Sequence, residues 1–123
     1  MQNYKWLYHK DVRVLFIALA SQSKEELAVK IAEISPLIEK EPLGSLCCIA
    51  DVKNGRFSPE IMKMLRDFTA HNIPYMKMTI LIGIEVLQRT LYDSFIMVTR
   101  RKNMATKDTL EEALDYMAEI SGK

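Results

Sequence analysis

Charge of one sign is not in excess here: 17 basic residues against 16 acidic ones leave the 123-residue chain at +1. Nothing global in that balance favours nucleic acid or an anionic membrane, so no nucleic-acid partner is expected. Long apolar runs are also missing, none approaching the ~20 residues that span a bilayer, which argues against an integral membrane segment. Residues 1–9 are polar and aromatic and lack the basic stretch and apolar core of a secretion signal, so the expected compartment is the cytoplasm. Cysteine and histidine are scarce, two of each. A metal site usually draws on three or four ligands, whereas Cys47 and Cys48 are adjacent and His9 and His71 belong to distant segments. No metal and no cofactor are therefore expected. Neighbouring side chains on a strand point to opposite faces, so the two cysteines are poorly placed to bridge each other and read as small core residues. Catalytic motifs are absent too: there is no GxSxG elbow, phosphate-binding GxxxxGK[ST] loop, GxGxxG, HExxH or CxxC. A Ser-His-Asp arrangement would need Ser58 or Ser94 to meet His71 by tertiary accident.

What is present is a core. The apolar share is 49% and the charged share 27%, with four glycines and four prolines, which is not the composition of a disordered chain. A chain of this size buries about two-thirds of its unfolded surface and needs no staple, so residues 1–123 read as one domain. Residues 5–8 and 12–19 are β-rich runs split by His9-Lys10-Asp11, an N-terminal hairpin. Ser23-Lys24-Glu25-Glu26 is a capping box that opens a helix carrying Leu27, Ile31, Ile34 and Ile38 at helical spacing. Pro36 is expected to kink or end that helix early. Residues 46–50 are nearly all apolar, as in a central parallel strand, and Asn54-Gly55 marks a turn after them. Ser58-Pro59-Glu60 is a strong helix start, with Ile61, Met64, Leu65 and Phe68 on one face. A strand over 76–82, a third helix over 85–99, an edge strand near Met104 and a last helix behind the capping box Thr109-Leu110-Glu111-Glu112 complete the order. Strand and helix alternate, so the fold class is α/β: a mostly parallel sheet, an antiparallel N-terminal strand and about four helices.

Three features carry candidate chemistry. Asp51 closes the expected central strand at its carboxyl end, where open α/β sheets place ligands; the plainer role is to accept amides of the Lys53-Asn54-Gly55 turn. Arg100, Arg101 and Lys102 suit an anion contact, or simply complement the end of the third helix. Met62, Met64, Met76, Met78, Met97, Met104 and Met117 suit a deformable apolar pocket, although methionine at helical or strand spacing is usually core.

The run Asp51-Val52-Lys53-Asn54-Gly55-Arg56-Phe57, the start Ser58-Pro59-Glu60-Ile61, the segment His71-Asn72-Ile73-Pro74-Tyr75 with an apolar strand ending at Gly83, and the close Asp108-Thr109-Leu110-Glu111-Glu112-Ala113-Leu114 together resemble bacterial STAS-like proteins. More narrowly, they resemble the small stand-alone proteins related to sporulation anti-sigma-factor antagonists, which are grouped with CRAL-TRIO lipid-binding domains. The resemblance implies a four-helix mixed-sheet fold and, for most relatives, no enzymatic activity. Signalling relatives carry a phosphorylatable serine within Asp-Ser-Ser-Gly at the matching helix start; here that start reads Ser58-Pro59-Glu60, and Ser58 is expected to be an N-cap. Two functions follow: a non-catalytic protein-interaction or signalling module with an unidentified protein partner, or a carrier or sensor of a small apolar, lipid-like ligand. The expected surface is the loop bearing Asp51, Lys53, Asn54, Arg56, Phe57 and Ser58, with Phe57 also suited to staple onto Met62. On the third helix, Tyr92 and Ile96 lie opposite the apolar stripe and suggest a homodimer.

Overall fold

The protein's computed structural model describes residues 3–56, 58–83 and 103–121. Strands β1 (Tyr4–His9) and β2 (Val12–Ala18) form the expected hairpin, antiparallel with His9 opposite Val12. Its two-residue turn puts Lys10 at φ 49° and Asp11 at φ 68°, the I′ type whose twist matches the strands it joins. Three parallel strands follow: β3 (Leu46–Asp51), β4 (Met76–Ile82) and β5 (Met104–Lys107). The result is a five-stranded mixed sheet in the order β1-β2-β3-β4-β5. The fold is α/β.

Helix α1 (Lys24–Glu39) crosses from β2 to β3, and α2 (Pro59–Asn72) crosses from β3 to β4 by way of a 3₁₀ turn, Ile73–Tyr75. Helix α3 (Leu110–Ser121) follows β5. These are the three α-helices among the described residues, against about four expected; the expected helix over 85–99, with Tyr92 and Ile96, lies outside them.

The sheet separates two apolar layers. On one face Leu15, Ile17, Cys48 and Ala50 pack with Leu27, Ile34 and Ile38 of α1 and Ile61 and Phe68 of α2. On the other, Val14, Cys47, Ile49, Ile80 and Ile82 pack with Ala113 and Met117 of α3. Strand alternation sends the adjacent cysteines to opposite layers, both buried and unbridged. Residues Leu46 to Ala50 of β3 are buried throughout because helices cover both faces, and each large aliphatic side chain so enclosed is worth ~1.5–3 kcal/mol.

Two local expectations are corrected. Pro36 does not end α1, which runs through it to Glu39. Its missing N–H leaves the carbonyl of Ala32 without a donor, but both residues are exposed, while fully buried Ile38 holds the last turn against the core. The first capping box is also offset: Ser23 Oγ accepts from Glu26 N–H at 3.1 Å, but the Glu26 carboxylate accepts from Gln22 N–H at 2.8 Å and not from the N-cap residue. The second box keeps its first half, with Thr109 Oγ1 accepting from Glu112 N–H at 3.1 Å.

Candidate functional site

The loop after β3 is tied down on both sides. Asp51 carbonyl accepts from Leu19 N–H at 3.0 Å and Ala20 N–H at 3.1 Å, joining it to the segment that leads into α1. Its carboxylate accepts from Lys53 N–H at 2.9 Å, the plainer of its two expected roles. Val52 N–H donates to Ile82 carbonyl at 3.0 Å, and its side chain is buried, so the chain leaves the sheet only at Lys53. Asn54 then adopts φ 66°, and Gly55 N–H closes the turn on Val52 carbonyl at 3.2 Å. Asparagine tolerates this left-handed geometry better than most residues. Two further bonds stitch the turn to its neighbour: Arg56 N–H to Ser21 carbonyl at 2.8 Å, and Gln22 Nε2 to Asn54 carbonyl at 2.7 Å.

On the opposite flank lies Gly83, at φ 86°. A Cβ built there would meet Lys53 Cβ at 2.4 Å and Lys53 N at 2.6 Å, so the Lys53 backbone lies directly on this glycine. The segment before α1 is equally committed. Buried Ser21 donates from Oγ to Leu19 carbonyl at 2.9 Å, and Lys30 Nζ donates to Ala20 carbonyl while standing 3.3 Å from Glu26. The Gln22 backbone N–H, aided by Lys30, holds the Glu26 carboxyl below its ordinary pKa. Beyond the loop, Ser58 Oγ accepts from Ile61 N–H at 3.2 Å, capping α2 with Pro59 in its first turn.

A fixed backbone thus presents exposed Lys53, Asn54 and Arg56. Among the described residues, neither the Lys53 ammonium nor the Arg56 guanidinium makes a hydrogen bond or ion pair. The structure therefore brings Asp51, Lys53, Asn54 and Arg56 together in one loop that runs on toward the capped start of α2 at Ser58. The side chains divide by role: Asp51 and Ser58 satisfy backbone amides, while Lys53 and Arg56 face solvent. Such a surface can attract an anionic group. It presents no pair of carboxylates and no nucleophile beside a base. Phe57, and the basic run Arg100, Arg101 and Lys102, lie outside the described residues.

Asp51 does not stand at a ligand crevice of the kind expected for the end of a central strand. Ligands in open α/β sheets enter where the strand order reverses and successive crossovers diverge to opposite faces. Here β2 through β5 follow in sequence order and both described crossovers, α1 and α2, pack on one face, so no such crevice opens at Asp51. Among the residues that hold the loop and the segment beside it, Ser21, Gln22 and Lys30 were not legible in the sequence. Gly83 left a local signal as a strand-end glycine, but the others act through partners that only tertiary folding supplies.

Among the described residues there is no cluster of three or more His, Cys, Asp or Glu side chains that could hold a metal, and no helix is long and apolar enough to cross a membrane. No protein-family model matches the chain, and no curated protein matches it.

Proposed function

We propose that this chain is a STAS-like, non-catalytic protein-interaction module that docks a partner on the loop spanning Asp51 to Ser58. The observation that carries this reading is the contrast inside the loop: its backbone is tied to the Leu19–Gln22 segment and to Gly83, while Lys53 and Arg56 hold their charges in water. Pre-ordering lowers the cost of binding, because little loop entropy is left to lose. Two cations at the surface favour an acidic face on the partner and steer its approach. The sheet, one antiparallel strand followed by parallel strands with α1 and α2 linking β2 to β3 and β3 to β4, is of the mixed kind that the STAS resemblance implies. Ser58 acts as a cap, its hydroxyl already used by Ile61 N–H.

The test is the double charge reversal Lys53→Glu with Arg56→Glu. Both side chains are solvated, so the melting temperature should change little, whereas capture of the partner from native lysate should fall sharply. Recovery of the same proteins and small molecules with and without the substitutions would remove the loop as the site.

A further inference from the structure

The outer edge of β1 is built for pairing, independently of the loop just described. Residues facing β2 across the hairpin are identified by the two-residue turn, whose closing pair His9 and Val12 is a hydrogen-bonded one. By alternation Leu7 and Lys5 also turn their N–H and C=O groups inward, and Asn3 carbonyl does so too, accepting from Ala18 N–H at 2.8 Å. The N–H and C=O groups of Tyr4, Trp6 and Tyr8 therefore point outward. Among the described residues, no strand pairs with that side of β1.

Natural edge strands are usually shortened, bulged, broken by proline or guarded by charge. The opposite edge, β5, follows that habit with four residues. β1 has six residues, no proline and no break in its register with β2. Its one lysine, Lys5, is turned over the Phe16 ring on the α3 face, 5.4 Å from the centroid. The strand is also held firmly. Asn3 Nδ2 donates to Glu33 of α1 at 3.0 Å, and at the far end His9 Nε2–H donates to Asp115 of α3 at 2.7 Å. Trp6 lies under the Arg13 guanidinium, 3.6 Å from its ring centroid, and Arg13 is itself held by Glu41 at 2.8 Å. Tyr8 remains 73% exposed.

We propose that β1 pairs antiparallel with β1 of a second copy, centred on Trp6, to continue the sheet across a twofold axis. Hydrogen-bonding parity restricts the registers, since an outward-facing residue can only oppose another outward-facing one. Placing Trp6 opposite Trp6 of the second copy uses the whole strand. It sets Tyr4 opposite Tyr8 in both directions and supplies two hydrogen bonds at each of the three pairs, about six in all. Tyr4 and Trp6 pack on the α1–α2 layer and Leu7 on the α3 layer, so alternation gives the junction an aromatic row on the first face. Cross-strand aromatic pairs of this kind are favourable. On the other face Lys5 meets Leu7 of the second copy, so on that face no like charges stand directly opposite each other.

Tyr8→Pro removes an outward N–H and leaves the β2 ladder intact. In sedimentation velocity at micromolar concentration the unaltered protein should run as a dimer and Tyr8→Pro as a folded monomer. A second readout covers a variant that fails to fold: in the unaltered protein, amide exchange at Tyr4, Trp6 and Tyr8 should slow as concentration rises, while Lys5 and Leu7 stay protected throughout. A monomeric wild type, a Tyr8→Pro dimer as tight as wild type, or concentration-independent exchange at those three amides would each overturn the proposal.

Discussion

The two ends of the parallel strands are finished in different ways. At the carboxyl end, Leu19 to Gln22, the turn after Asp51 and Gly83 lie directly against one another, and main-chain groups from three separate segments satisfy each other. Among the described residues, the amino end shows no approach of main-chain segments as close as that at Gly83. Gly44 N–H donates to Pro74 carbonyl at 2.8 Å and Ser45 closes a turn on Pro42, but Leu43 is 73% exposed beside them. Each end carries one glycine at positive φ. Around Gly83 a Cβ would collide with the Lys53 backbone, whereas around Gly44, at φ 68°, it would meet nothing within 4 Å. Similar backbone conformations therefore serve two purposes: at Gly83 close packing of one segment on another, at Gly44 only a change of direction. The end that exposes Lys53, Asn54 and Arg56 is the one where separate main-chain segments lie directly against one another.

Substitution at these glycines probes the difference most directly. Gly83→Ala combines an unfavourable φ with overlap against main-chain atoms that cannot swing aside, and should cost about 3 kcal/mol or more in denaturant unfolding. It should also loosen the 51–56 loop, seen as faster amide exchange at Lys53 and Gly55. Gly44→Ala should cost only the left-handed penalty of about 1–2 kcal/mol and leave that loop unchanged. Equal losses at the two sites would mean that the close approach at Gly83 carries no energetic weight. A smaller effect is expected at the start of α2: Ser58→Ala should lose about 1 kcal/mol, while Ser58→Asp, which still caps, should keep both stability and partner capture. Loss of capture with Ser58→Asp at unchanged stability would show that the hydroxyl is read by the partner. The smallest effect is acid sensitivity. Because the Glu26 carboxyl is held below its ordinary value, its contribution is complete above the usual carboxylate range near ~4 and is lost as pH falls through the lowered value. Wild type should thus lose stability slightly faster than Glu26→Gln below about pH 4. Parallel acid-unfolding curves would remove Glu26 from the carboxyl-end scaffold.

Much of this architecture was legible residue by residue. Ser23, Ser58 and Thr109 announce helix starts because a short side-chain oxygen meets amides only three positions away. The apolar run 46–50 reads as a doubly covered strand, and adjacent Cys47 and Cys48 must part to opposite faces whatever surrounds them. The β1–β2 hairpin was legible, but the type of its turn was not. Lys10-Asp11 lacks the Asn-Gly signature, and its two positive φ values are held by the pairing on either side. At Pro36 propensity and structure part, because propensity counts the hydrogen bond lost and not the buried Ile38 that keeps the next turn in place.

At the candidate site, the sequence by itself determined which side chains the loop offers, and its short-range bonds: Asp51 to Lys53 N–H, Gly55 N–H to Val52 carbonyl, Ser58 to the start of α2. These partners lie within a few residues, so their meeting depends on local geometry alone. The tertiary structure decided the rest: that Ser21 and Gln22 would hold the far side of the turn, that Gly83 would lie against Lys53, and that the strand order would run without a reversal beside Asp51. Those contacts join residues some thirty positions apart, brought together only when β2, β3 and β4 align in register and bury their common core.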